Sequence, residues 1–108
     1  MGSDWPVSSP NVFQQMQVAV TRQVIGRGAD APVLDASQRI TLPQALAAFT
    51  RGSAYVNHDD EAGTIAEGMR ADLVVLDRNP FAGPVHDIAL TEVTTTIVSS
   101  ESPSVSIA

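Results

Sequence analysis

The 108-residue chain contains no cysteine and no lysine, and only three Phe, one Trp and one Tyr. Without cysteine there can be no disulfide, no thiolate metal ligand and no thiol nucleophile. Without lysine all six bases are arginines, set against twelve acids for a formal net charge of −6. No basic stripe is available for a phosphate backbone, which excludes nucleic acid as a partner class. An acidic surface is also repelled from anionic lipid. No apolar run is long enough to cross a bilayer. Residues 1–10 lack the basic and apolar regions of a signal peptide. These absences lead to the expectation of a cytoplasmic protein that binds neither nucleic acid nor membrane. What remains is 44% hydrophobic and 17% charged, too apolar for wholesale disorder, at a length of one domain.

Residues 1–10 read as a loop, because Pro6, Ser8, Ser9 and Pro10 cannot form a stable helix together. Asn11 is a helix cap, and Val12, Met16, Val20 and Val24 step by four with Phe13 and Ala19 alongside. That spacing predicts a helix over residues 12–25, ended by Gly26 and Gly28. A second helix begins at Thr41, with Gln44 three residues later as in a capping box and Pro43 in the first turn. Leu42, Ala45, Leu46 and Phe49 form its apolar stripe. Gly52 is its cap or break, before a short helical turn through Ala54, Tyr55 and Val56. His58-Asp59-Asp60-Glu61 is a polar loop, and Thr64-Ile65 a short strand. Leu73-Val74-Val75-Leu76 is a dense apolar run, expected as a strand buried on both faces and stopped by Asn79-Pro80. Residues 90–98, rich in Thr, Val and Ile, form another strand. The tail from Ser99 to Ala108 is either a frayed end or a weak last strand. Helices followed by strands give an α+β class.

One motif carries chemistry. Gly2-Ser3-Asp4-Trp5-Pro6 is followed by Ser8-Ser9-Pro10-Asn11, Ala19-Val20-Thr21-Arg22, and Gln38-Arg39-Ile40-Thr41-Leu42 with Ala45-Leu46. Gly63-Thr64-Ile65 comes next, then Glu67-Gly68-Met69-Arg70-Ala71-Asp72-Leu73-Val74-Val75-Leu76-Asp77 and Asn79-Pro80-Phe81. In that order, over residues 2–98, the series resembles the amidohydrolase superfamily, in its amidohydrolase 3 branch with N-substituted formamide deformylase-like proteins. The resemblance implies a (β/α)₈ barrel with an appended β-sandwich. It also implies a divalent, zinc-type metal site at the barrel mouth that activates water against a non-peptide carbon–nitrogen bond. By motif position Asp4 is the acid after the eighth strand, which takes the water's proton and passes it to the leaving nitrogen. Residues 1–58 then correspond to the last part of the barrel, and residues 59–108 to the C-terminal portion of the small β-sandwich domain.

The departures are as informative. The family's metal ligands come from earlier strands, and this chain has no His-x-His pair and no lysine to be carboxylated. A catalytic zinc needs about three protein ligands and an open position, which one carboxylate cannot supply. Asp4, three residues from a free end, is expected to be frayed, and catalytic groups must be held more tightly than that. The tail Ser99-Ser100-Glu101 also departs from the family's usual Gly-Gly-Arg-like closing turn.

Other constellations have simpler readings. His58 beside three acids is a polar surface loop, since neighbouring loop side chains rarely converge on one ion without a pinned turn. His86-Asp87 is a loop, and Arg70 beside Asp72 a turn arginine. Gly26-x-Gly28 has no strand before it and is not a dinucleotide fingerprint. No Gly-x-Ser-x-Gly elbow exists for a serine nucleophile.

The expectation is therefore the C-terminal part of an amidohydrolase-like hydrolase, inactive alone, with Asp4 as inherited catalytic base and no metal of its own. The alternatives are a subunit of a split hydrolase completed by a barrel chain, a self-associating module without enzymatic activity, or a truncated product with no selected role. The open apolar run at Leu73 to Leu76 is the expected interface in the first two.

Overall fold

The structure, a computed structural model, describes residues 1–99 and the backbone of residues 104–107. Three α-helices precede a small antiparallel sheet, so the α+β expectation holds. The helices are α1 (Val12–Thr21), α2 (Leu42–Phe49) and α3 (Arg51–Val56). The strands are β1 (Leu73–Leu76), β2 (Val93–Val98) and β3 (Ser104–Ile107). Two 3-10 helices, Ala36–Gln38 and Val85–Leu90, sit in the connections.

Helix α1 starts where its cap predicts. The Asn11 side-chain oxygen accepts from the N–H groups of Phe13 (2.9 Å) and Gln14 (3.2 Å), satisfying two orphan donors. It ends four residues short of the predicted boundary, at Arg22 rather than at the glycines. Arg22 takes a left-handed conformation (φ 56°) and donates its N–H to the Val18 carbonyl. Arg22 and Leu34 then close the loop between them reciprocally. The Leu34 N–H donates to the Arg22 carbonyl and Arg22 Nε to the Leu34 carbonyl, each at 2.9 Å. Two further carbonyls at the helix end are taken by the Ile40 N–H (onto Ala19) and Arg39 Nε (onto Thr21). Four side-chain and backbone partners thus do the work a Gly cap would do.

The buried face of α1 is rotated from the predicted stripe. Phe13, Met16, Gln17 and Thr21 are buried, whereas Val12 and Val24 are exposed. Gln17 is admitted because its side-chain oxygen accepts from the Ala89 N–H at 2.8 Å, in the 3-10 helix Val85–Leu90. That segment, expected as a loop around His86-Asp87, carries Ile88, which is 1% exposed and lies at the centre of the core with Phe13, Met16 and Ala45. Val20, Ile40, Leu42, Phe49, Leu76 and Val93 pack around them.

Helix α2 has the predicted capping box. Thr41 Oγ1 accepts from the Gln44 N–H, and the Gln44 side chain accepts from the Thr41 N–H. The break after it falls at Thr50 (φ −114°, ψ −98°), and Gly52 lies inside α3 instead of ending α2. Leu46, expected in the buried stripe, is 37% exposed and lines a groove between α2 and the sheet.

The predicted strand at Thr64-Ile65 does not form. Ile65 is 86% exposed and this stretch has no strand partner. Strand β1 forms but is not buried on both faces, since Val74 and Val75 are about half exposed. The sheet order is β1-β2-β3, so β1 is an edge, and among the described residues no second sheet covers its outer face. Its register with β2 runs Leu73–Ile97, Val74–Thr96 and Val75–Thr95, then jumps to Leu76–Val93. Thr94 is the extra residue, and its hydroxyl donates to the Val75 carbonyl at 3.1 Å. The bulge breaks the two-residue alternation, which lets Leu73 and Leu76 both lean inward. Of the two readings of the tail, pairing of Ser104–Ile107 with β2 is the one observed, and residues 100–103 and 108 lie outside the described residues.

Candidate functional site

Asp4 stands in a turn built largely by serines. Its carbonyl accepts from the Val7 N–H at 2.7 Å, and the Ser8 hydroxyl donates to the Ser3 carbonyl at 2.6 Å. The base of the turn is tied to α1, where Gln15 Nε2 donates to the Ser9 carbonyl and Ser9 Oγ accepts from the Asn11 N–H, each at 3.2 Å. Four hydrogen bonds thus tie the turn to itself and to the start of α1. Asp4 adopts φ 56°, a left-handed conformation that aspartate tolerates better than most side chains. Its carboxylate is exposed and accepts no hydrogen bond from the described residues, and Trp5 beside it is 67% exposed.

Gly2 and Ser3 form part of the wall of a groove of about 660 Å3. Its opposite walls are Val18 and Ala19 of α1 and the loop residues Val24, Ile25, Pro32 and Leu34. That loop is held in place by Gln23, a buried residue that the sequence reading passed over. Its Nε2 donates to the carbonyls of Ala29 (2.8 Å) and Ala31 (2.7 Å), using both amide hydrogens. Its Oε1 lies 2.8 Å from His86 Nε2, so the imidazole must be the donor there and carries its hydrogen on Nε2. His86 is thereby a structural clasp. Gln23 lies just past α1 beside the polar Thr21 and Arg22, so no local sequence signal sets it apart.

The other candidates do not converge on Asp4. His58 is exposed at the C-terminal end of α3, with φ 56°. Asp59 pairs with Arg70 at 2.5 Å, and Arg70 Nε reaches Asp72 at 3.2 Å. Asp72 in turn accepts from the Ser99 N–H at 2.9 Å. The expected turn arginine is thus a strap across the 59–72 segment. The Arg70 guanidinium holds the Asp59 carboxyl below its usual range, and the Arg78 guanidinium does the same to Asp77. Among the described residues no group of three or more His, Asp or Glu could hold a metal ion. A metal needs more donors than Asp4 supplies, so this donor set does not fit one by itself. Among the described residues no helix is long and apolar enough to cross a membrane.

Comparison with known proteins adds scale to this geometry. Residues 1–101 match the sequence profile described as the amidohydrolase family. The chain is 30% identical over 101 residues to YtcJ of Bacillus subtilis (strain 168), whose name places it among amidohydrolases. That match covers 93% of this chain and 19% of YtcJ. It is 35% identical over 81 residues to the N-substituted formamide deformylase of Arthrobacter pascens, covering 74% of this chain and 14% of that protein. The chain thus spans less than a fifth of the length of these curated relatives. No solved structure matches it.

Proposed function

Because the chain belongs to the amidohydrolase family, we propose that it is the C-terminal section of a hydrolase of non-peptide carbon–nitrogen bonds, with Asp4 as its catalytic base. The observation that carries this reading is the fastened turn of residues 3–8, which presents an unpaired carboxylate from within a match extending over nearly the whole chain. The name of the Arthrobacter relative points to N-substituted formamides as the substrate class. Residues 1–58 serve as the end of the barrel in this reading and residues 59–108 as part of the small β-domain.

The family is in general metal-dependent, and the donors of this chain alone do not make a metal site. What the chain contributes is therefore limited to proton handling and positioning. Asp4 accepts a proton on its exposed carboxylate and delivers it to a leaving amine nitrogen. The Ser8–Ser3 and Val7–Asp4 hydrogen bonds hold the turn while it does so. General acid–base help of this kind contributes about 10² to 10⁴ in rate, and nothing else described here supplies the rest.

The test couples metal content to turnover. The purified chain, exposed to zinc and dialysed against chelator, is expected to hold no stoichiometric ion and to leave an N-substituted formamide intact. Assembled with the remainder of a family fold, it is expected to hydrolyse that formamide, and Asp4→Asn to lower kcat by about 10² to 10⁴. An assembled enzyme indifferent to Asp4→Asn removes Asp4 from the chemistry.

A further inference from the structure

The groove beside Gly2 and Ser3 contrasts in charge with the rest of the molecule. The chain carries twelve acids against six bases, yet among the described residues no acid lines this groove and Arg22 is its only charged side chain. Arg70 and Arg78 are each paired with an aspartate, whereas Arg22 makes no ion pair among the described residues. Its side chain is half-buried, and its Nε is spent on the Leu34 carbonyl at 2.9 Å, which fixes the plane of the guanidinium. The two terminal nitrogens carry the rest of the fork and donate to no oxygen among the described residues. Arg22 also holds a left-handed backbone (φ 56°), disfavoured for a side chain of its size and sustained by its bonds to Val18 and Leu34. A partly enclosed cation without a counter-ion is costly unless water or a ligand supplies the oxygens.

We infer that the groove binds a small monocarboxylic acid with an aromatic or branched aliphatic body, its carboxylate on the Arg22 fork and its body against Val18, Val24 and Ile25. The volume, about 660 Å3, is that of a small-molecule site, and such sites are mostly apolar with a few placed polar groups. The charge selects the ligand class. A cationic ligand finds no acid in the lining, and a neutral one leaves the guanidinium without a counter-charge. One guanidinium answers one negative charge, and its planar fork matches a carboxylate in two parallel hydrogen bonds. A polyanion would meet the acids of the outer surface with no further base in the groove to hold it. Asp4 adjoins Ser3 but lies outside the lining, so the site stands whether or not Asp4 acts on a substrate.

The experiment titrates the intact chain with phenylacetate and with phenylacetamide, which share a body and differ in charge, and follows the backbone amides by NMR. Phenylacetate is expected to give saturable shifts at Val18, Arg22, Val24 and Leu34, and phenylacetamide to bind about tenfold more weakly or worse. Val24→Asp sets a negative charge on the groove wall and is expected to weaken phenylacetate about threefold or more. Ile65→Asp changes the net charge equally but lies outside the groove, and is expected to leave binding unchanged. Both side chains are open to solvent, so both variants fold. Arg22→Gln is expected to erase the preference for the acid over its amide; the ligand pair and Val24→Asp keep the test independent of any disturbance to the loop that Arg22 anchors. The inference is overturned by shifts that do not saturate or that fall elsewhere, by acid and amide binding alike, or by Val24→Asp and Ile65→Asp having the same effect. Inorganic phosphate that matches phenylacetate also overturns it, because the apolar walls then select nothing.

Discussion

Substituting Gly63 by alanine tests the packing of α3 against the segment that follows it. Gly63 has φ +88°, and an added Cβ would lie 2.8 Å from Arg51 Cα, 2.9 Å from Ala54 Cβ and 3.0 Å from the Thr50 carbonyl oxygen. Two of those atoms are backbone and cannot swing aside. Gly68 provides the control, with φ +85° and nothing within 4 Å of an added Cβ. Both variants carry the left-handed backbone penalty of about 1–2 kcal/mol. Only Gly63→Ala adds the overpacking cost of about 1–3 kcal/mol. With a urea m-value of about 1–3 kcal/mol per molar, its unfolding midpoint is expected to fall below that of Gly68→Ala by roughly 1 M. Urea titrations of wild type and both variants, followed by circular dichroism, supply the comparison. Coincident midpoints for the two variants would show that α3 does not sit on Gly63, and the packing argument would fail.

Three further expectations follow from the same structure. Thr41→Ala removes the capping box of α2 and should cost about 1 kcal/mol in the same urea assay, with Thr41→Ser close to neutral. Ile88→Ala empties the centre of the core and should cost about 2–5 kcal/mol; a loss below 1 kcal/mol would place the core elsewhere. Arg70→Gln should lower the melting temperature at neutral pH. Arg70 depresses the Asp59 pKa below its ordinary 3.8, so the pair's contribution is complete above that value and is lost as pH falls through the depressed one. The gap in melting temperature between wild type and variant should therefore close on acidification, and a gap that is constant with pH contradicts the pairing.

The elements that the sequence made legible are those with local signatures. The Asn11 cap, the Thr41–Gln44 box and the β-branched run of β2 each depend on residues within one turn or one strand, and each formed where expected. The misreadings share a different origin. Ending α1 at Arg22 requires Leu34, Arg39 and Ile40, residues twelve to eighteen positions away. The buried glutamines Gln17 and Gln23 look polar until Ala89 and His86 arrive from the far end of the chain. Strand β1 reads as fully buried because its four residues are apolar, but periodicity cannot say whether a second layer is present to cover them. For the candidate site, the motif around Asp4 was legible from resemblance, whereas its fastening by Ser8, Ser9 and Gln15 appeared only once the loop and α1 were seen together.

The long reach between α1 and the 3-10 helix Val85–Leu90 sets an order of events during synthesis. A ten-residue helix is marginal in water on its own, and the side chain at the heart of this one's docking site, Ile88, is translated some seventy residues later. Helix α1 is thus made well before the side chain it docks on. Until then Phe13 and Met16 remain open to chaperones, and a product that ends before Ile88 carries a helix with nowhere to dock.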